Sequence, residues 1–240
     1  MRLLTYNIHK GIGGRDRRYR LARILDVIEI ANPDLVCLQE VTRGAPRSRR
    51  ENQPSLLARY FRFDKVYQMN VHYKVGGYGN LILSRWPFRT THQISLRYRD
   101  RKPRGAQLAV IDTPEGSLHL INWHLGLSDR ERRWQAEHLL KHRLYRESAD
   151  LPTLLVGDTN DWRDRLIHGP LGKAGFRHET RPPSRFRTFP AWLPVGSLDK
   201  VSSRGGIQVR HAHVVHSALA RRASDHLPVV VDFHHEASQG

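Results

Sequence analysis

The chain has 240 residues, of which 39% are hydrophobic, so it can bury a full core as one large domain or, less comfortably, as two small ones. No apolar run approaches the ~18 residues that cross a bilayer, which excludes a transmembrane helix, and the single cysteine excludes an intramolecular disulfide. Lys and Arg number 40 against 23 Asp and Glu, and this formal charge of +17 favours anionic partners, although dispersed surface arginines can also contribute only solubility.

We expect a single domain over residues 1–233, soluble or at most peripheral to a membrane, in the cytoplasm. The first residues pass straight into a strand-like run, without the charged leader, apolar segment and cleavage site of a signal peptide. Cys37 lies in an apolar run, which predicts a buried structural thiol in a reducing compartment. Residues 234–240 are expected to form a frayed tail whose paired histidines do not bind a metal.

Short apolar runs alternate with helical patterns and long loops along the chain. A first helix is predicted where apolar residues recur at helical spacing before Asn32-Pro33, and a second after Ser128-Asp129, either of which can cap it. Strands follow one another in the middle of the chain, with helices before and after, so the pattern favours a layered sandwich of two sheets covered by helices. The predicted strands are residues 3–6, 35–38, 80–84, 108–111, 118–123, 153–156 and 229–233.

Three polar segments stand beside apolar runs, at residues 157–161 (GDTND), 197–199 (SLD) and 224–228 (SDHLP). Open sheets place their active sites where strands end, so side chains that can share a proton are expected to meet there. These segments indicate a hydrolase.

Two basic segments are candidates for phosphate binding. Residues 43–50 follow directly on Glu40, so a cationic loop would border a strand-end carboxylate. Residues 181–192 interleave arginines with aromatic rings, a composition that suits backbone contact and base stacking, although it also suits a rigid solvated loop. In that segment Arg187 and Trp192 are predicted to contact substrate.

Seven segments, in order, resemble the endonuclease/exonuclease/phosphatase superfamily, which includes deoxyribonuclease I, abasic-site endonucleases, neutral sphingomyelinases and inositol-polyphosphate phosphatases. The resemblance spans nearly the whole chain and implies an α/β fold of four layers, with two packed mixed β-sheets flanked by helices. It also implies hydrolysis of a phosphate ester with a divalent cation, usually Mg²⁺, with Mn²⁺ as a possible substitute. The segments are residues 4–8, 34–41, 79–84, 122–125, 157–161, 197–199 and 224–228.

The resemblance implies the metal and substrate ligands. Glu40 is the principal metal ligand, with Asn7 beside it as a ligand or a phosphate donor, because Mg²⁺ prefers hard oxygen ligands. Asp225 is an outer carboxylate or an additional metal ligand. Asn80, in the third segment, and Arg104, ahead of a strand, are candidates for substrate binding.

The resemblance also assigns catalytic roles. Asp158 would orient or deprotonate the attacking water, or assist the leaving group, and Asn160 would donate to a nonbridging oxygen. We expect these two side chains to alternate along an extended segment and so to point to the same side, the alternative being an Asx turn that ends the strand. Asp199 and His226 make a proton-transfer pair, and His124 resembles a phosphate-binding histidine.

Some features depart from the resemblance. Thr159 stands where relatives usually have an aromatic residue, and Lys200 stands where they commonly have an aromatic residue or a histidine. Neither change removes a catalytic group. No acid between Glu40 and His124 matches the glutamate that partners the first histidine of deoxyribonuclease I. The tyrosine-proline-asparagine pattern of abasic-site endonucleases is absent, which disfavours abasic-site cleavage.

Three functions remain open at this point. The first is a Mg²⁺-dependent phosphodiesterase on a polyanion, with nucleic acid favoured by the charge and the 181–192 segment. The second acts on a phospholipid or phosphoinositide headgroup at an anionic membrane. The third is a non-catalytic phosphate-binding module, which the complete set of polar residues argues against. No obligate protein partner is evident.

Overall fold

The computed structural model describes residues 1–235, and in it two six-stranded mixed sheets pack against each other. Strands and helices are numbered in chain order. The first sheet has, in spatial order, β11 (Ile207–Val214), β12 (Val229–His235), β1 (Arg2–Asn7), β2 (Leu35–Arg43), β4 (Gly77–Ser84) and β3 (Asp64–His72). The second has β5 (Phe88–Ser95), β6 (Gly105–Thr113), β7 (Gly116–His124), β8 (Thr153–Asp158), β10 (Asp199–Arg204) and β9 (Arg177–His178).

Each sheet has one parallel pair at its centre, β1 with β2 and β7 with β8, and is otherwise antiparallel. Parallel neighbours need a crossover, and the crossovers carry the larger helices. The helices are α1 (Leu21–Ala31), α2 (Gln53–Phe61), α3 (Asp129–Lys141), α4 (Arg143–Arg146), α5 (Pro170–Lys173) and α6 (Ala218–Ala223).

The signals in the sequence account for the ends of the two predicted helices. At the end of α1, Asn32 takes the left-handed conformation at φ 46°, donates its N–H to the carbonyls of Ile28 and Glu29, and is followed by Pro33, which cannot continue the helix. At the start of α3, the Ser128 hydroxyl accepts the backbone N–H of Glu131 at 3.3 Å.

Two apolar clusters make up the core. The larger lies between the sheets and continues under α1, α2 and α6 on the outer face of the first sheet. The smaller lies on the outer face of the second sheet, where Trp123 and Leu155 pack against Ala136 and Leu139 of α3. Helix, sheet, sheet and helix therefore form the predicted four-layer α/β sandwich. Cys37 is buried and unpaired in the larger cluster, as predicted.

Buried amides cross the interface between the sheets. The Gln39 side chain of β2 donates to the Asn122 side chain of β7 at 2.8 Å. The Asn122 Nδ2 group in turn donates to the carbonyls of Leu38 and Leu81 in the first sheet, each at 3.1 Å, and to the amide oxygen of Gln107. Because Gln39 and Asn122 are fully buried, every one of these bonds forms away from water.

The end of the chain differs from the prediction. Strand β12 continues through His235, so His234 and His235 belong to the sheet and not to a tail that starts at residue 234. The His235 backbone N–H donates to Glu115 at 2.9 Å, which holds this end of the strand to the β6–β7 turn. Residues 236–240 lie outside the described part. No helix of the described residues is long and apolar enough to cross a membrane.

Candidate active site

The ends of four central strands bring the predicted catalytic side chains together. Asn7 is the last residue of β1, His124 the last of β7 and Asp158 the last of β8, while Asp199 is the first of β10. In the sheet register, Asp158 lies directly opposite both His124 and Asp199. The sequence-predicted residues of both sheets therefore meet at one edge of the sandwich.

The Asp158 carboxylate is the centre of this cluster. Its Oδ2 accepts from Asn7 Nδ2 at 3.0 Å and lies 3.3 Å from His124 Nε2 and 3.8 Å from His226 Nε2. Its Oδ1 accepts the backbone N–H of Asn160 at 3.1 Å. Only 2% of Asp158 is exposed, so these contacts take the place of water.

The loop between α6 and β12 positions His226. Ser224 donates its hydroxyl to the Asn7 carbonyl at 2.7 Å, which joins this loop to the end of β1. The imidazole Nδ1 lies 2.8 Å from Asp199 Oδ2, and because an ionised carboxylate only accepts, Nδ1 carries the proton. The Phe189 ring packs on the imidazole with 4.9 Å between centroids. His226 Nε2 is thereby directed at Asp158, as the predicted pair with Asp199 requires.

The two histidines beside Asp158 have opposite charge states. Burial disfavours a charged imidazole, but the carboxylates of Asp199 and Asp158 raise the pKa of His226 to about 10. Burial, with the positive charges of Arg104 and His226, holds the pKa of His124 well below its usual range. At neutral pH His226 is therefore a cation and His124 is neutral.

The carboxylate between them is tuned in the same way. Burial raises the pKa of Asp158 to about 6, against the opposing effect of the charge on His226. A carboxylate with this pKa is ionised at pH 7 and is still basic enough to accept a proton. Such a value is typical of a general base.

Glu40, the predicted principal metal ligand, lies at a bulge in β2. The register of β2 against β4 shifts between Leu38 and Val41, and Glu40 occupies this bulge at φ 57°. Bulges re-aim side chains at the ends of sheets. The carboxylate forms an ion pair with Lys10, whose charge lowers the pKa of Glu40 in spite of burial.

A divalent cation fits the donors at this edge. Asp158, Asp199 and His226 each have a potential ligand atom within 4.8 Å of the others, but the protonated imidazole has no lone pair to offer, so the two carboxylates are the donors of this group. Asp199 Oδ1 is buried and accepts no hydrogen bond from the described residues, an arrangement that a cation would satisfy. This three-residue group differs from the predicted ligand set, in which Glu40, Asn7 and Asp225 bind the metal. Asn7 donates its amide to Asp158, and Asp225 lies 3.8 Å from His9 Nδ1.

The predicted substrate contacts fall into two groups. Arg104 is 7% exposed, and its Nε has no hydrogen-bond partner within residues 1–235, so an anion would complete it. Asn80 is buried and donates to the carbonyl of Gly105, the residue after Arg104, at 3.0 Å. Arg187 and Trp192 are exposed, and they lie before and after Phe189 in the same segment.

One expectation needs correction, and one open question is answered. Strand β8 ends at Asp158, and Asn160 has a left-handed backbone at φ 51° with its N–H bonded to Asp158, so the pair forms an Asx-type turn and not an extended alternation. The Asn160 side chain donates to the Leu125 carbonyl at 3.1 Å. His124, for which the sequence offered no acidic partner, contacts Asp158 itself.

Sequence reasoning missed Lys10, Phe189 and Trp162. Lys10 lies three residues after the end of β1, and a basic residue so close to a strand end is a signal of a phosphate- or carboxylate-binding position. Phe189 lies inside the aromatic segment that was singled out. Trp162 is 57% exposed and meets the Phe189 ring edge-on at 6.4 Å, a contact between distant segments that no local pattern indicates.

Comparison with known proteins places this geometry in a family. Residues 4–226 match the profile of the Endonuclease/Exonuclease/phosphatase family. The uncharacterised protein YbhP of Escherichia coli is 33% identical over 97% of this chain and 96% of its own length. The human nocturnin catalytic domain superimposes with a TM-score of 0.76 at 21% identity, covering 98% of this chain and 93% of that domain.

A second solved structure, the mannosyl-6-phosphatase of Bacteroides thetaiotaomicron, has a TM-score of 0.76 at 15% identity and covers 98% of this chain and 99% of its own. At these identities the solved structures show the fold alone. The family match, which runs from β1 to His226, is independent of them. This chain therefore belongs to the endonuclease/exonuclease/phosphatase family and is a phosphoric ester hydrolase.

Proposed function

We propose that the protein is a Mg²⁺-dependent phosphodiester hydrolase. The observation that carries the proposal is the buried Asp158 carboxylate, which lies 3.3 Å from His124 Nε2 and 3.8 Å from His226 Nε2. A phosphodiester resists attack because its oxygens repel an incoming nucleophile, so a site must combine a base with fixed positive charge. Here the base is the buried Asp158 carboxylate, and the positive charge is the His226 imidazole, whose Nε2 lies 3.8 Å from it.

Glu40 and the carboxylates of Asp158 and Asp199 would hold the divalent cation, which would neutralise phosphate charge and lower the pKa of a bound water. Asp158 orients the attacking water and takes its proton, because Asn7, His124 and the Asn160 backbone fix both carboxylate oxygens. His226, with Asp199 behind it, places a cation beside the nonbridging oxygens. Arg104 and the second N–H of the Asn160 amide supply further donors.

Nucleic acid is the substrate class that the charge supports best. The +17 net charge attracts a polyanion, and the exposed Arg187 and Trp192 offer backbone contact and stacking. Trp162 adds a second exposed ring, which reaches the site through Phe189. These rings lie on the His226 side, where the nucleotide next to the cleaved phosphate would pass.

A lipid headgroup is the second candidate, and a different observation favours it. Leu127, Leu193 and Val195 are 75%, 59% and 56% exposed on loops near the site. Aliphatic side chains have no ring face on which a base can stack, whereas they can enter the boundary of a bilayer. A non-catalytic module is disfavoured because Asp158, Asp199 and His226 are costly to bury unless they serve a reaction.

The test is hydrolysis with added Mg²⁺ by the wild type and His226→Ala, on plasmid DNA, RNA, phosphoinositide vesicles and sphingomyelin vesicles. His138→Ala, a histidine on α3 outside the site, is the matched control. Cleavage of nucleic acid that is lost in His226→Ala and kept in His138→Ala supports the nuclease. Release from lipid alone would select the second candidate, and equal activity in both variants would contradict the catalytic assignment.

A further inference from the structure

Lys10 occupies a strained turn that follows β1, whose last residue is Asn7. The chain turns sharply after β1, and Lys10 has a left-handed backbone at φ 64° next to His9 at φ 43°. Left-handed residues other than glycine cost energy and persist where the surroundings enforce them. The Gln53 side chain holds this turn by donating to the Lys10 carbonyl at 2.8 Å.

The turn directs the Lys10 ammonium at Glu40. The two groups form an ion pair in which the side chains are 14% and 13% exposed. The ammonium also lies 4.7 Å from the centroid of the Tyr78 ring, which covers it on another side. Among the described residues, Lys10 is the only cation in ion-pair contact with Glu40, so this lysine neutralises the strongest metal-ligand candidate of the first sheet.

A lysine ammonium and a divalent cation that contact the same carboxylate repel each other, and this repulsion is poorly screened because both side chains are mostly buried. We propose that Lys10 is a built-in counter-ion of Glu40 that the divalent cation displaces, and that the displaced ammonium then binds a phosphate oxygen of the substrate. This inference rests on the proposed function. It assigns Lys10 two successive partners, Glu40 in the free protein and substrate phosphate in the loaded one.

Lys102 provides a matched control. Its ammonium lies 5.3 Å from the centroid of the same Tyr78 ring, but no ion pair joins it to Glu40 in the described chain. Removal of either lysine subtracts one positive charge from the same neighbourhood. Only the removal of Lys10 also frees the carboxylate, so the two variants separate direct competition from the general electrostatic field.

The experiment measures Mn²⁺ affinity from the electron paramagnetic resonance signal of free Mn²⁺, without substrate. Lys10→Met should bind Mn²⁺ roughly 5- to 20-fold more tightly than the wild type, a range consistent with the loss of a partly buried ion pair. Lys102→Met should change the affinity by less than about 3-fold, as expected for a screened charge. Lys10→Arg keeps the competing charge and should stay close to the wild type.

A second readout tests the second partner. At saturating Mn²⁺, Lys10→Met should raise the KM for bis(p-nitrophenyl) phosphate several-fold while its Mn²⁺ affinity increases. A lysine that only shaped the loop would weaken both together, and that result, or an equal gain in Lys10→Met and Lys102→Met, would overturn the inference. Glu40→Gln separates the two proposals, because unchanged Mn²⁺ affinity in that variant would refute the metal assignment itself.

Discussion

Asp199→Asn should lower the pKa of His226 and change how stability depends on pH. The carboxylate of Asp199 lies 2.8 Å from the imidazole and is the largest of the influences that raise this pKa from 6.5 to about 10. Loss of one close opposite charge typically moves a pKa by about 1–3 units, so the variant's histidine should titrate between about pH 7 and 9.

The sign of the stability effect follows from proton linkage. In the wild type between pH 7 and 9 the folded protein holds the His226 proton, whereas an unfolded histidine, with a pKa near 6.5, has lost it. Unfolding therefore releases a proton, and the free energy of unfolding falls by about 1.4 kcal/mol for each pH unit, or ~3 kcal/mol over this window. Asp158, with a pKa of about 6, titrates mostly below it.

The assay is urea unfolding in EDTA at intervals from pH 6 to 10, with the imidazole nitrogen signals of His226 followed by NMR. Asp199→Asn should flatten the stability curve above the new pKa and reduce kcat by roughly 10²- to 10⁴-fold, as expected for an altered catalytic histidine. His138→Ala should leave the slope unchanged. A wild-type His226 that titrates near pH 6.5, or a slope that Asp199→Asn does not alter, would refute the reasoning.

Three further outcomes follow from the structure. Asn122→Leu leaves the buried Gln39 amide and the backbone carbonyls without their partner. The free energy of unfolding in urea should fall by at least ~2 kcal/mol, and a fall of less than about 0.5 kcal/mol would be inconsistent with the observed bonds. Mg²⁺ at about 100 times its Kd should raise the free energy of unfolding by ~2.7 kcal/mol in the wild type and by clearly less in Glu40→Gln; equal gains would exclude Glu40 as a ligand. If nucleic acid is the substrate, Trp192→Ala should weaken single-stranded DNA binding by ~1–3 kcal/mol in fluorescence anisotropy, while Ile30→Ser, exposed on α1, should leave it unchanged.

The sequence predicted every inner strand except β10, whose buried residues are mostly polar, and it missed the edge strands. Strands β1, β4 and β8 are buried almost throughout, so they read as apolar runs. Strands β3, β5 and β11 have mostly exposed or half-buried residues and carry no such run, so they read as loops. Their pairing depends on the neighbouring strand, which a local pattern does not contain.

The candidate site shows the same division. Asp158, Asp199 and His226 were predicted because they lie in polar segments beside apolar runs and match the family resemblance, and the structure brings them together. The Asp158–Asn160 turn was read wrongly because a left-handed residue looks like any other asparagine in a sequence. The partners of Glu40 and His124 depend on where separate elements meet, and local patterning does not specify that.

The buried amides between the sheets have a consequence for how the enzyme loses activity. The first sheet and its adjoining loop supply Asn7, Glu40 and His226, and the second supplies His124 and Asp158, so any sliding of one sheet on the other would separate the two halves of the site. Gln39 lies next to Glu40, and Asn122 lies two residues before His124. The hydrogen bond between their side chains therefore fixes the position of one sheet relative to the other close to the site. Catalytic turnover should therefore disappear at the first loosening of this interface under mild denaturant, before either sheet loses its own hydrogen bonds.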